Sequence, residues 1–318
     1  MGQRGFPTVK NSLDSMTSDA FYHIFKELEM LNILESLRAG GLTAIKAHDS
    51  VHEFLLLASL VPHDPQQVTW HRKSAFLTYL WEAFHSAHRA TMEALAGYYN
   101  AGFTLLRNTL ELLVRGAFWE CLAHEKFRDN AKILDEEQQK DRKRGSVKDW
   151  IEELIGRRPS IREEIERTSA NIFDKTAVLF EDEEFQREHV RMPSFATMVR
   201  QLIDWRVIDI ADAYNTVYGD LYGRLSKNVH VIPDRTDIGR RLLREEDFLE
   251  IHVIPEELGR FVEILRRVVD IGIVIECNIL TDWFQRDENK AAVRERLASV
   301  EDLGLRLSCG NLRRLLSL

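Results

Sequence analysis

Arg224 and His230 are the residues of this sequence whose types and spacing best suit chemistry on a phosphodiester. An imidazole titrates near neutral pH, so His230 can take a proton from a ribose hydroxyl or give one to a leaving oxygen. A guanidinium can hold a phosphate through two parallel hydrogen bonds and stabilise its developing charge. A pair of this kind therefore suits the cleavage of a phosphodiester.

The two side chains can meet only if a helix ends between them. Six residues of continuous helix advance about 600°, which would leave them roughly 120° apart. The sequence offers an end after Lys227. Asn228 tolerates a left-handed conformation, the β-branched Val229 disfavours helix, and Pro233 blocks it.

Several polar neighbours are predicted to bind substrate beside this pair. Lys227 adds positive charge one turn after Arg224, and a local basic patch follows at positions 235–244. On an earlier helix, Arg107 and Glu111 either brace the bundle as an ion pair or line the same cleft. The predicted substrate-binding residues are Tyr222, Ser226, Lys227, Asn228, Arg107 and Glu111.

A purely structural interpretation of the same segment stays open. Asp220 and Arg224 are four residues apart and can form a surface ion pair on one helix face. His230 can act as a C-terminal helix cap, favoured by the helix dipole. Leu225 belongs to an apolar stripe that faces the core in either case.

Helical periodicity dominates the elements that must position these residues. Apolar residues recur at spacings of three and four before Gly40-Gly41, and a second helix follows to about Leu60. A block from about Arg72 to Leu122 contains either a bend or a tight turn at Tyr98–Gly102. Later helices are expected from Ser194 to Trp205, from Val207 to Ser226, and from Pro255 to Phe284. The sequence thus predicts an all-α protein.

The segment RLSKNVH, with its Arg-x5-His spacing, resembles the signature of the HEPN superfamily of helical bundles. The earlier LLRNTLELL, which contains Arg107 and Glu111, adds to the likeness. The resemblance implies a homodimer that cleaves RNA without a metal ion or other cofactor, with Arg224 and His230 as the predicted catalytic residues. It also implies a role in phage defence or a toxin system and a protein partner such as an antitoxin. Leu225 departs from the pattern, because active members often carry a polar residue there.

Composition narrows the function classes. The net charge of −8 argues against broad wrapping of nucleic acid. Three widely spaced cysteines predict free thiols in a reducing cytosol, and no apolar stretch predicts a membrane span. The P-loop, Rossmann, serine-hydrolase and HExxH zincin motifs are all missing from the sequence.

Histidines at positions 48 and 52 share one predicted helix face, but the sequence indicates no third ligand, so no metal site is predicted. His85, His88 and Arg89 are expected to form a polar stripe on a long helix. A metal-dependent helical enzyme that uses His48 and His52 remains a weaker alternative.

The predicted organisation has three parts. A helical pair occupies residues 1–61, and an HEPN-like bundle spans 66–285 with a charged insertion at about 125–192. A helical tail covers 286–318. The predicted function is a metal-independent, cytoplasmic endoribonuclease. The alternative is a non-catalytic HEPN-like module that binds a nucleotide, RNA or a protein partner.

Overall fold

The computed structural model of this protein describes residues 30–61, 74–123, 193–229 and 253–317. These residues form helices and no strand, which confirms the predicted all-α class. None of the described helices is long and apolar enough to cross a bilayer. His230, the basic patch at 235–244 and the whole of the predicted insertion at 125–192 lie outside the described residues.

The described chain contains nine α-helical segments and one π-helical segment. They are α1 (Met30–Ala58), α2 (Ala75–Leu95), α3 (Tyr99–Ala123), α4 (Phe195–Asp204), the π-helix (Asn215–Tyr222), α5 (Gly223–Val229), α6 (Pro255–Ile279), α7 (Thr281–Phe284), α8 (Lys290–Leu303) and α9 (Arg306–Leu315).

Helices α2 and α3 form an antiparallel hairpin, which resolves the alternative between a bend and a turn. Gly97 has a φ of 98° in the connection, a conformation that suits glycine. At the other end of the hairpin, the buried Glu120 of α3 caps the start of α2. Its Oε2 accepts hydrogen bonds from the Ser74 hydroxyl at 3.0 Å and the Phe76 amide at 3.1 Å.

Helices α1, α3 and α6 meet at the centre of the core. A Cβ at Gly272 of α6 would overlap the Phe54 ring of α1 and the Leu113 side chain of α3, so only glycine permits this close approach. Buried residues of α1, α8 and α9 join the same core as those of α2–α6. One apolar interior therefore holds residues from all three predicted parts of the chain.

Helix α1 is kinked where the sequence predicted a helix end. Gly41 has φ 50° and ψ −141° inside it, so the helix changes direction there. Before the kink, Ser36 donates to the Leu95 carbonyl at 2.8 Å, which fixes this half to the end of α2. After the kink, α1 carries His48 and His52 along α2.

The predicted helix from Val207 was wrong at its start. The amides of Val207 and Ile208 both donate to the Leu202 carbonyl and so terminate α4, while the Val207 carbonyl accepts from Asn278 of α6 at 2.9 Å. The chain turns here with Arg206 at φ 58° and re-enters helix only near position 213. The next two turns are π-helical.

The other predicted helices of the later chain are present. Ser194 caps α4 by accepting from the Thr197 amide at 3.2 Å. Pro255 opens α6, which ends at Ile279 instead of Phe284, and the short α7 follows. Asp270 of α6 accepts from the Ser308 amide at 2.8 Å and so caps α9.

Candidate functional site

The two segments that resemble the HEPN motifs lie on helices that pack together: LLRNTLELL is on α3, and RLSKNVH begins on α5, which directly follows the π-helix. Arg107 of α3 donates from Nε to Glu111 at 3.0 Å and from Nη2 to the Tyr222 hydroxyl at 2.8 Å. The second oxygen of Glu111 accepts from Arg115 at 3.2 Å. The Arg107 and Glu111 side chains are only 19% and 17% exposed. Arg107 is thus held by two partners in a partly buried position.

Tyr222 is the inner end of an aromatic ladder. Its ring stacks on Phe195 with centroids 4.2 Å apart and on Tyr218 at 5.6 Å, and Tyr214 continues the row at 5.2 Å from Tyr218. The Arg107 guanidinium lies 4.9 Å from the Tyr222 centroid. Because its ring and hydroxyl are already engaged, Tyr222 is placed to orient Arg107 more directly than to contact a substrate.

Arg224 lies two residues beyond Tyr222, at the surface. Its side chain is 46% exposed and forms the predicted ion pair with Asp220 through Nε. Asp220 also accepts from Arg267 of α6 at 2.7 Å, and Glu263 lies 4.0 Å from Nη1 of Arg224. Burial works to raise the pKa of Asp220, but Arg267 and Arg224 together lower it below its ordinary value.

Ser226, Lys227 and Asn228 of the predicted site lie on α5, which continues to Val229, two residues beyond the helix end predicted after Lys227. Lys227 is exposed, Leu225 is fully buried in the core, and the buried Ser226 hydroxyl has no hydrogen-bond partner among the described residues. His230 and the side chain of Asn228 lie outside the described part of the chain. The structure therefore brings Arg107, Glu111 and Tyr222 together. Arg224 follows Tyr222 by two residues in the sequence.

A π-helix ends at Tyr222, two residues before Arg224. This geometry is rare and is found mostly as short insertions, frequently at functional sites. A Cβ at Gly219 would meet the Asn215 side chain of the preceding turn, and Asn215 itself donates to Asp212 at 3.0 Å. The π-helix was not predicted, because apolar spacing does not separate i→i+4 from i→i+5 hydrogen bonding.

A second cluster of functional groups lies between α1 and α2. His48 and His52 point at each other with Nε2 atoms 3.5 Å apart, and the ring centroid of His88 of α2 is 5.5 Å from His48 and 6.0 Å from His52. One potential ligand nitrogen from each ring lies within 4.8 Å of the other two. Burial lowers the pKa of His88, and the neighbouring imidazoles His48, His52 and His85 lower it further.

His88 is the residue that the sequence did not link to His48 and His52. It was predicted only as part of a polar stripe, since no spacing rule connects α1 to a position about 40 residues away. The Glu82-x-x-His85-x-x-His88 spacing places His85 and His88 on one helix face. The packing of α2 against α1 brings His88 to the cluster.

Two acidic side chains are buried in the core, Glu53 of α1 and Glu276 of α6. Glu276 of α6 is fully buried, and neither of its oxygens has a partner among the described residues. Burial raises the pKa of Glu276 well above its ordinary value, and the neighbouring Glu53 raises it further. Glu53 is better placed, because it accepts from Ser299 at 2.6 Å and lies 3.5 Å from Arg296.

Comparisons of this chain with protein-family models, with curated proteins and with solved structures find no match. The assignment of a function therefore depends on the residues and their geometry.

Proposed function

We propose that this chain is an HEPN-like helical protein that cleaves RNA without a metal ion, with Arg224 and His230 as its catalytic residues. The observation that carries the proposal is the 2.8 Å hydrogen bond from Arg107 to Tyr222. It links the α3 motif segment to Tyr222, which is 115 residues away from Arg107 and stands two residues before Arg224, the first residue of the other segment. A site built from both segments requires that proximity.

The surroundings of Arg224 are compatible with phosphate binding. Its side chain is half-exposed, and its ion pairs with Asp220 and Glu263 are at the surface. Surface ion pairs of this kind contribute about 1 kcal/mol or less, so a phosphate held by two charge-assisted hydrogen bonds can replace a carboxylate. Lys227, one turn on, adds a second exposed cation.

In the proposed reaction, His230 takes a proton from the ribose hydroxyl or gives one to the leaving oxygen. Arg224 stabilises the charge that develops on the phosphate. Arg107 and Tyr222 act as positioning residues, because they fix the helix from which Arg224 projects. The HEPN resemblance further implies that a homodimer brings two such pairs together.

The test is cleavage of a labelled single-stranded RNA in the presence of EDTA. We expect Arg224→Ala and His230→Ala each to lower the rate by about 100-fold to 10,000-fold. Arg313→Ala is the matched control, since Arg313 is also exposed and paired with a carboxylate, Glu301. Cleavage that persists in both variants, or that is absent from the wild-type protein, overturns the proposal.

A second candidate function is a non-catalytic module that binds RNA, a nucleotide or a protein partner such as an antitoxin. It is favoured by the engagement of Arg224 with two carboxylates and by the burial of Leu225, where active HEPN proteins often carry a polar residue. Fluorescence anisotropy with the same RNA separates the two. Binding without turnover, weakened in Arg224→Ala and unchanged in Arg313→Ala, identifies the RNA-binding form of this module.

A further inference from the structure

We propose that His48, His52 and His88 form a binding site for one divalent transition-metal ion of the zinc type, with a fourth coordination position open to water or a small ligand. This site is separate from the proposed RNA-cleaving pair, which uses no metal.

The distances between the ligand atoms match such an ion. Tetrahedral coordination with Zn–N bonds of about 2.0–2.1 Å puts neighbouring nitrogens about 3.3–3.4 Å apart. The Nε2 atoms of His48 and His52 are 3.5 Å apart. Because the three nitrogens lie within 4.8 Å of one another, a common point exists within roughly 2.8 Å of each, so ring shifts of less than about 1 Å complete the site.

The scaffold holds the ligands in place. His48 and His52 are four residues apart on one face of α1, and His88 approaches from α2, which packs alongside. The ring of Phe84 contacts His52 with centroids 5.6 Å apart and lies 6.0 Å from His88, so an apolar side chain borders the cluster. Two rigid helices therefore supply all three donors.

A carboxylate also orients the first ligand. Asp49 Oδ1 lies 3.3 Å from Nδ1 of His48, which leaves Nε2 of that ring directed toward His52. Metal-binding histidines commonly use their second nitrogen in this way. A solvated polar stripe has no need of this arrangement, nor of three rings that meet edge to face.

The donor set selects the class of ion. Three imidazoles suit Zn²⁺, Cu²⁺, Ni²⁺ or Fe²⁺, whereas Ca²⁺ and Mg²⁺ require oxygen ligands. Three protein ligands with one position free is the arrangement of catalytic zinc sites, in contrast to the four protein ligands of structural ones. The His48 side chain is 38% exposed, so solvent can reach the cluster.

The test is titration of the full-length, chelator-treated protein with Zn²⁺ or Co²⁺ alone. Calorimetry is expected to give one Zn²⁺ per chain, and Co²⁺ is expected to give the visible absorption of a four-coordinate ion. Because the ion joins α1 to α2, a hundredfold excess of Zn²⁺ over Kd is expected to raise Tm by about 5 °C.

The variants make the assignment specific. We expect His48→Gln and His88→Gln to weaken Zn²⁺ binding at least tenfold, Asp49→Asn to weaken it by roughly tenfold, and His48→Cys to retain it. His85→Gln is the matched control, because His85 lies one turn from His88 on α2 and is not among the three ligands. His48 is the most informative position, because its partial exposure lets the variant keep its fold in chelator.

Two results would overturn the metal site. One is the failure of Zn²⁺, Co²⁺, Ni²⁺ and Cu²⁺ all to bind to the wild-type protein at micromolar concentration. The other is binding that His48→Gln and His88→Gln leave unchanged. Neither result bears on RNA cleavage in EDTA, so the two proposals fail independently.

Discussion

The seam between α3 and the π-helix and the seam between α1 and α2 place ionisable groups in opposite ways. At and beside the first seam, unlike charges alternate: Glu111 lies between Arg107 and Arg115 on α3. Asp220 of the π-helix lies between Arg224 of α5 and Arg267 of α6. Around α1, groups of the same kind lie close together, although Glu53 also has Arg296 as an ion-pair partner. Three imidazoles meet at the surface, and in the core Glu276 lies close enough to Glu53 for its pKa to respond.

We infer that the alternating ion pairs stabilise the fold, whereas the clusters of like groups do not stabilise it through their own contacts. An alternating network satisfies its own charges, so removing one member leaves the others unpaired. Like groups that lie close together do not stabilise one another by ion pairing. A bound proton or a bound cation relieves their mutual repulsion or satisfies their lone pairs. Substitutions at Arg107, Glu276, Tyr222 and Asp220 measure this difference.

Arg107→Met is expected to lower the free energy of unfolding by about 2–3 kcal/mol, because it leaves the partly buried Tyr222 hydroxyl without its donor and Glu111 with Arg115 as its one remaining cation among the described residues. Chemical denaturation measures the change. The control is Arg89→Met, which breaks an equivalent pair with Glu93 where Arg89 is 71% exposed and is expected to cost less than about 1 kcal/mol. Equal losses in the two variants would show that burial does not strengthen the α3 network.

Glu276→Met is expected to stabilise the protein by about 1–3 kcal/mol at pH 8, because it removes a buried carboxyl that has no partner among the described residues. The gain should depend on pH. Burial and Glu53 raise the pKa of Glu276, so the folded state retains a proton that the unfolded chain releases above about pH 4.5. The wild-type protein therefore loses stability as the pH rises above about 4.5, because folding must then take up a proton at Glu276. The difference in the free energy of unfolding between Glu276→Met and the wild type grows accordingly.

Glu120→Met is the matched control for Glu276→Met. Burial also raises the pKa of Glu120, although its hydrogen bonds from Phe76 and Ser74 act to lower it. Since these donors would be left unpaired, Glu120→Met is expected to destabilise the protein by about 1–3 kcal/mol. Thermal and urea unfolding between pH 4 and pH 8 compare both variants. If both substitutions raise the free energy of unfolding, or both lower it, the expected difference between a buried carboxyl with donors and one without is contradicted.

Tyr222→Phe is expected to cost about 1 kcal/mol, because it removes the hydroxyl that accepts from Arg107 and keeps the ring stacked on Phe195. A double-mutant cycle with Arg107→Met isolates the coupling between the two side chains. If the two changes add without coupling, Tyr222 does not position Arg107.

Asp220→Asn is expected to cost about 0.5–1 kcal/mol at pH 7, since Asp220 is partly exposed. The two arginines depress its pKa in the folded state, so its contribution is complete above about pH 3.8 and is lost as pH falls through the depressed value. Urea denaturation at pH 7 and pH 2.5 should show the difference from wild type shrinking in acid. A difference that persists at the lower pH would rule out the charge as its source.

Local signals in the sequence predicted much of this architecture. Ser194 and Pro255 mark helix starts by their capping chemistry, and the Gly40-Gly41 pair marks the break in α1. The pairing of Arg107 with Glu111 follows from their spacing on one helix turn. In each of these cases the partners are within a few residues of one another.

The rest depends on contacts between distant segments. Nothing local indicates that Tyr222 reaches Arg107, that His88 joins His48, or that Asn278 holds the Val207 carbonyl. The helix predicted from Val207 failed for this reason, since a tertiary hydrogen bond and the end of α4 outweighed an acceptable helical sequence. The convergence of Arg224 with His230 remains a prediction.

The π-helix fixes the rotational phase of everything that follows it. Successive residues of an α-helix are about 100° apart around the axis, and the wider π turn changes that angle over Asn215–Tyr222. Removing one residue from this segment to restore an α-helix would swing Arg224 by about a quarter of a revolution relative to Tyr214. Relatives of this chain that lack the residue would present their arginine to a different neighbour, so a single-residue gap in an alignment would mark a change of site.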